Sequence, residues 1–149
     1  MPRFAIVAIL LASIITLAGA STPPRPISQP VLDAKTIYIA NQTGEDRFSA
    51  RALQELNTWG RFTIVTDRSK ADVTLTISTE HRSNPDSDDE RGYITLQLLI
   101  PHDDIPQFSY TQDDLVRFME ADITKSLKLL RKRIEDRDKN KAVSAAGAH

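Results

Sequence analysis

The sequence contains no cysteine, few aromatic residues and only five glycines among its 149 residues. Without cysteine the chain can form no disulfide and offers no thiol nucleophile or thiolate metal ligand. The same absence excludes the exported lipoproteins that are anchored through an N-terminal cysteine. The glycines form no glycine-rich phosphate loop, and no G-x-S-x-G nucleophile motif is present.

A strong charge of either sign is also lacking, because 19 basic residues stand against 20 acidic ones. Residues 1–20 contain one charged residue, Arg3, so the rest of the chain has 18 basic and 20 acidic residues. This near-neutral balance excludes a typical nucleic-acid-binding protein and gives no bulk attraction to an anionic membrane. The length fits one domain.

Residues 1–20 are typical of a secretory signal peptide. A short basic start is followed by an apolar run from Phe4 to Leu17 and by the small residues Ala18-Gly19-Ala20. We expect cleavage after Ala20 and a periplasmic or secreted mature protein without a transmembrane span. The alternative is an uncleaved N-terminal anchor, although the run is shorter than the ~20 residues that a membrane span needs.

The rest of the chain divides into three segments. Residues 21–30 carry four of the eight prolines and are predicted to be an extended linker. Residues 31–138 form the single predicted domain. Residues 139–149 are polar and rich in alanine, glycine and serine, so we expect a disordered tail.

The domain is predicted to begin with a strand, a helix and a second strand. The strand Thr36–Ala40 precedes a helix that Thr43 and Asp46 cap and Gly60 ends, followed by a strand at Arg61–Thr66. The helix carries one apolar stripe, made of Phe48, Ala52, Leu56 and Trp59.

Two alternating strands and a long helix complete the prediction. The strands Asp72–Thr79 and Tyr93–Ile100 flank a polar loop, His81–Gly92, and each puts apolar residues on one face. The helix is predicted to start with a capping box of Thr111 and Asp114. Its apolar stripe comprises Leu115, Met119, Ile123, Leu127, Leu130 and Ile134.

The order β-α-β-β-β-α predicts an α/β (α+β) fold with two layers. We expect a mixed four-stranded sheet that carries both helices on one face. The β-α-β start favours a parallel pair, and the later strands favour antiparallel pairing.

One block of the sequence resembles a known type of envelope domain. It runs through Trp59-Gly60-Arg61-Phe62-Thr63-Ile64-Val65 and Lys70-Ala71-Asp72-Val73-Thr74-Leu75. This pattern is similar to small α/β domains of bacterial envelope proteins: the amino-terminal domain of TolB, the curli-secretion and lipopolysaccharide-assembly lipoproteins, and short uncharacterised secreted proteins. The resemblance covers about residues 36–80. It implies a periplasmic domain that docks onto other envelope proteins, although the lipoproteins' cysteine and the propeller repeats of TolB are missing.

Polar residues around the predicted hairpin are weak candidates for a metal site. Asp86 and Asp88 lie in an acidic loop that could hold calcium, but the EF-hand template fails at its glycine and glutamate positions. His81 and His102 lie at strand ends, where they could meet in space. A solvated loop and two water-facing histidines are the simpler interpretation, and we expect no cofactor.

Two surfaces are candidates for binding. The outward face of the hairpin carries Thr74, Thr76, Thr95 and Gln97, a flat polar surface for a partner or for a second copy of the chain. The last helix carries Lys128, Arg131 and Lys132, which form either a solvated face or a docking surface for an acidic partner or lipid head groups.

These observations favour a non-enzymatic envelope protein that works by interaction or assembly with another envelope protein. The alternative is a secreted small-ligand or metal-binding protein, a hydrolytic one included, that uses His81, His102 and the acidic loop.

Overall fold

The structure, a computed structural model, describes residues 25–82 and 90–146. The strands of this part of the chain are β1 (Thr36–Asn41), β2 (Thr63–Ile64), β3 (Val73–Arg82), β4 (Arg91–Leu99) and β5 (Phe108–Leu115). Its α-helices are α1 (Gln29–Asp33), α2 (Asp46–Trp59) and α3 (Met119–Ala146). Within these residues no helix combines the length and the apolar character needed to cross a membrane. The predicted signal peptide lies outside the described residues.

The strands form one mixed sheet in the order β2-β1-β3-β4-β5. β1 runs parallel to both β2 and β3, whereas β3–β4 and β4–β5 are antiparallel. The predicted two-layer α/β architecture is confirmed, but the sheet has five strands instead of four. The predicted strand Arg61–Thr66 is reduced to the two residues of β2.

The core lies between the sheet and the helices α2 and α3. Along β4 buried and half-buried residues alternate strictly, so one face of the strand is covered and the other is not. The covered strand face and the two helix stripes meet in one apolar cluster, as their spacing predicts. From the helices it includes Phe48, Ala52, Leu56, Met119, Ile123, Leu127, Leu130 and Ile134.

The fifth strand replaces what the sequence predicts as the start of the last helix. Thr111 and Asp114 form no capping box, because both lie within β5, opposite Thr95 and Gly92. The helix begins only at Met119, after a short 3-10 turn at residues 116–118. The capping pattern misled because the same residue types, spaced by three, also occur in a polar edge strand.

The start of α2 also differs from the prediction. Glu45 is the N-cap residue, without a side-chain capping bond, so Thr43 and Asp46 form no capping box. The Thr43 hydroxyl instead accepts the backbone N–H of Glu45 and contacts Asn41 Oδ1, which shapes the preceding turn. At the other end Gly60 has a φ of 70° and its N–H donates to the Leu56 carbonyl, as predicted for a helix-ending glycine.

Both ends of the domain extend beyond the predicted limits. Ile27 is buried, and Gln29 and Pro30 begin α1, so the later part of the expected linker packs on the fold. At the other end α3 continues through residues 139–146, where a disordered tail is expected. Lysine and alanine are good helix formers. Lys139, Lys141, Ala142 and Ala145 therefore prolong a helix whose first half is already fixed by burial.

Asp72 ties the start of β3 to the start of β1. Its carboxylate accepts the backbone N–H groups of Lys35 and Thr36 at 2.8 and 2.9 Å, while its own N–H donates to the Thr36 hydroxyl. The two backbone donors and the Thr36 hydroxyl hold the pKa of Asp72 below its usual value. Asp72 therefore links the starts of two neighbouring parallel strands.

Asp122 is a buried carboxyl group on the face of α3 that packs on the sheet. It is only 5% exposed, and its Oδ2 has no hydrogen-bond partner among the described residues. Burial, followed by the negative charge of Asp114, raises the pKa of Asp122, and Lys125 opposes this only in part. The ionised carboxylate therefore costs stability near neutral pH.

Replacing Asp122 with asparagine is expected to raise the free energy of unfolding at pH 7 by about 1–2 kcal/mol, because an amide carries no buried charge. The wild-type carboxyl has a folded pKa above the unfolded value of 3.8. Its contribution to stability is thus complete below 3.8 and is lost as pH rises through the folded pKa. Urea titrations between pH 3 and pH 8 should show the gain disappear in acid, whereas exposed Asp104→Asn should change little. A gain of equal size at pH 3 would contradict a charge effect.

Candidate interaction surface

The side of the sheet opposite α2 and α3 carries a continuous set of polar side chains, which we call the open face. Strand alternation places these residues there, since every second residue of β1, β3, β4 and β5 points away from the helices. The open face comprises Tyr38, Ala40, Thr74, Thr76, Ser78, Thr95, Gln97, Leu99, Ser109 and Thr111.

Register aligns these residues in rows across the strands. Thr76 lies between Ala40 of β1 and Gln97 of β4, and Gln97 in turn pairs with Ser109. In the next row Ser78 faces Thr95, whose hydroxyl lies 3.0 Å from that of Thr111. Such cross-strand hydroxyl pairs stiffen the surface while leaving each oxygen with a free lone pair or proton.

The four hairpin residues singled out in the sequence share this face but differ in accessibility. Thr76, Thr95 and Gln97 are half-buried, which leaves part of each side chain in contact with solvent. Thr74 is only 6% exposed and lines a cavity of about 110 Å³ together with Arg68. Within the hairpin, the accessible part of the open face therefore lies toward the middle of β3 and β4.

Sequence reasoning missed the contribution of β5 to this surface. Ser109 and Thr111 extend it by one strand, which the predicted helix start at Thr111 concealed. The alternation of Phe108 and Tyr110 with serine and threonine was the available signal, since Phe108 is buried whereas Ser109 and Thr111 are exposed.

Charged residues close one end of the open face. The Arg82 guanidinium lies 4.1 Å from the Tyr93 ring centroid and donates to the Tyr93 hydroxyl. The carboxylate of Asp113 lies 3.9 Å from Arg82 and 3.7 Å from Arg91. The hydroxyl-rich rows thus give way to a cluster of cations, a carboxylate and an aromatic ring.

The two histidines do not meet, so the metal-site alternative for the hairpin lacks its shared histidine pair. His81 pairs with Gly92 at one end of β3–β4, whereas His102 follows the other end, where Thr74 pairs with Leu99. Seven residues of strand separate these ends, a distance of about 23 Å. The C-terminal ends of antiparallel strands lie at opposite edges, so no shared histidine site forms.

Each histidine has its own local surroundings. Nδ1 of His81 lies 2.8 Å from a carboxylate oxygen of Glu90. His102 occupies a tight turn with a φ of 64°, next to the cavity that Thr74 lines. Asp86 and Asp88 lie outside the described residues. Within residues 25–82 and 90–146, no group of three histidine or acidic side chains is placed to hold a metal ion.

The predicted basic surface lies on α3, on the other side of the molecule from the open face. Lys128, Arg131 and Lys132 are exposed there. Arg131 forms an ion pair with Glu135 at 2.7 Å, and Lys128 and Arg131 border a shallow hollow beside Trp59. Part of the charge in this patch is therefore neutralised within the helix itself.

Comparison with known proteins gives matches only among solved structures. No family model matches the chain, and no curated protein matches it. A single-substitution variant of PelC from Paraburkholderia phytofirmans, described as a dodecamer, is 13% identical with a TM-score of 0.45, covering 71% of this chain and 92% of that one. A second PelC dodecamer from the same organism is 14% identical, covers 62% and 84%, and has a TM-score of 0.43.

A minor lipoprotein from Acinetobacter baumannii is similar to the same extent. It is 13% identical with a TM-score of 0.43, covering 69% of this chain and 94% of that one. At these TM-scores no property of the three proteins transfers to this chain.

Proposed function

We propose that this chain is an exported, non-enzymatic domain that binds another protein of the cell envelope through the open face. The observation that carries the proposal is the uncovered side of the sheet. Four neighbouring strands there present an unbroken array of side chains, and no described helix packs on it.

The chemistry of the open face suits a protein surface. Threonine side chains are stiff and each hydroxyl both donates and accepts, so a partner meets a fixed pattern of hydrogen-bonding groups at little entropic cost. Tyr38 and Leu99, both half-buried, add apolar area at one end. Backbone groups of the inner strands are already paired within the sheet, which leaves recognition to these side chains.

Site-specific photo-crosslinking in the native cells tests the proposal. A photoreactive residue is placed at Thr76 or at Thr95, and a matched control is placed at Lys132 on the opposite side. We expect a discrete adduct from both sheet positions and none from Lys132, because only the open face would contact the partner.

Mass spectrometry of the adduct separates the outcomes. A second protein supports the proposal, and an adduct of twice the chain mass means that the open face binds a second copy instead. Free monomer at both sheet positions, or an adduct from Lys132 alone, contradicts the assignment of the open face. Because Thr76 and Thr95 are only half-buried, their replacement should change the free energy of unfolding by less than about 0.5 kcal/mol.

A further inference from the structure

A groove runs along the C-terminal half of α3, between this helix and the segment from residue 25 to α1. It contains two adjoining cavities of about 240 and 270 Å³ that share Arg137 and Asn140. We call it the basic groove and define it by Arg25, Arg133, Arg137 and Lys141. Pro26 and Ile27 supply carbon surface to its wall.

The basic groove has an excess of positive charge that the whole chain does not share. Four of its lining residues are cationic and one, Asp136, is acidic, which leaves a local surplus of three. The neighbouring carboxylate of Asp138 is already bonded to Arg61 at 2.9 Å. The chain as a whole has a net charge of −1, so the positive charge of the groove is local and is not visible in the net charge.

Contacts with the core hold the two walls of the basic groove in place. Arg61 donates to the Leu32 carbonyl at 2.6 Å and to Asp138 at 2.9 Å, so one side chain joins α1 to α3. Arg133 lies 5.3 Å from the ring centroid of buried Phe108, which orients its guanidinium. The cations thus project from braced backbone, which lowers the entropic cost of binding.

We propose that the basic groove binds the phosphate head group of an anionic lipid. Guanidinium groups match phosphate with paired N–H donors, and the carbon surface of Pro26 and Ile27 suits the glycerol and first acyl carbons next to it. The proposal rests on the export inferred above.

The test measures binding of monomeric dihexanoyl phosphatidylglycerol to the purified chain by titration calorimetry. Arg137 lines both cavities, so Arg137→Gln is expected to weaken the affinity about tenfold. Lys128→Gln removes the same charge from the other side of α3 and should change the affinity less than about twofold. Both variants are compared in the same mature form that begins at Ser21, so they differ only at the substituted residue.

Three further probes distinguish the sources of the anion. Dihexanoyl phosphatidylcholine should bind more weakly, and inorganic phosphate should bind more weakly than the anionic lipid because it lacks the apolar stem. Equal affinity for inorganic phosphate, tighter binding of a glutamate-rich peptide, equal effects of the two variants, or no lipid binding would each overturn the proposal. The result is independent of the crosslinks at Thr76 and Thr95, so either proposal can fail alone.

Discussion

Replacing Phe108 with alanine is expected to lower the free energy of unfolding by about 3–5 kcal/mol. Phe108 is 2% exposed and belongs to the apolar cluster that joins the sheet to α3. Its loss leaves a cavity beneath α3 and also removes the ring on which the Arg133 guanidinium rests. The effect is large because Phe108 is the most deeply buried residue by which the edge strand β5 packs on the core.

Urea denaturation followed by circular dichroism measures this effect. Ile105→Ala is the matched control. Ile105 lies three residues before Phe108 but is 53% exposed, so its replacement should change stability by less than about 0.5 kcal/mol. A loss below about 1 kcal/mol for Phe108→Ala would show that β5 is not packed on the core.

The second large effect is expected at Gly92, where alanine should cost about 1–3 kcal/mol. A Cβ atom at this position would lie 2.4 Å from the backbone oxygen of Glu80 and 3.1 Å from Met119 Cε. The methionine can move, but the carbonyl belongs to the paired strand β3 and cannot. The two strands would have to separate at the end where α3 crosses the sheet.

Thermal and urea unfolding of Gly92→Ala check this prediction, with Ser109→Ala on exposed β5 as the control. The losses of Gly92→Ala and Met119→Ala should add in the double variant when each is also measured alone, because Met119 is a buried core residue and the clash with the Glu80 carbonyl persists. Full rescue by the second substitution would place the strain at the Met119 side chain instead of the backbone.

The elements that sequence could predict are those whose period is set by burial. Val73, Leu75 and Ile77 alternate because one face of β3 is covered, and Phe48, Ala52 and Leu56 follow the helical period for the same reason. β5 was not predicted because Gln112, Asp113 and Asp114 have low β-propensity. In the folded chain, pairing with β4 outweighs that preference. The open face was predicted in part, since alternation on β3 and β4 identifies it without tertiary information.

The basic groove could not be predicted, because its two walls are far apart in the chain. Arg25 belongs to a proline-rich stretch that predicts a linker, and Lys141 to a segment that predicts disorder. Only packing of Ile27 on the core and the continuation of α3 bring them together. The pattern of residues within either segment carries no information about which distant segment will pack beside it.

The hydrogen bonds by which Arg61 joins α1 to α3 affect the order in which the parts of the domain fold. Arg61 bonds to Leu32, 29 positions before it, and to Asp138, 77 positions after it. The segment from residue 25 to α1 therefore gains these contacts only after almost the whole domain has been synthesised. Loop-closure entropy makes this the late step of folding. The segment from residue 25 to α1 therefore reaches its final arrangement only after the C-terminal half of α3 has packed beside it.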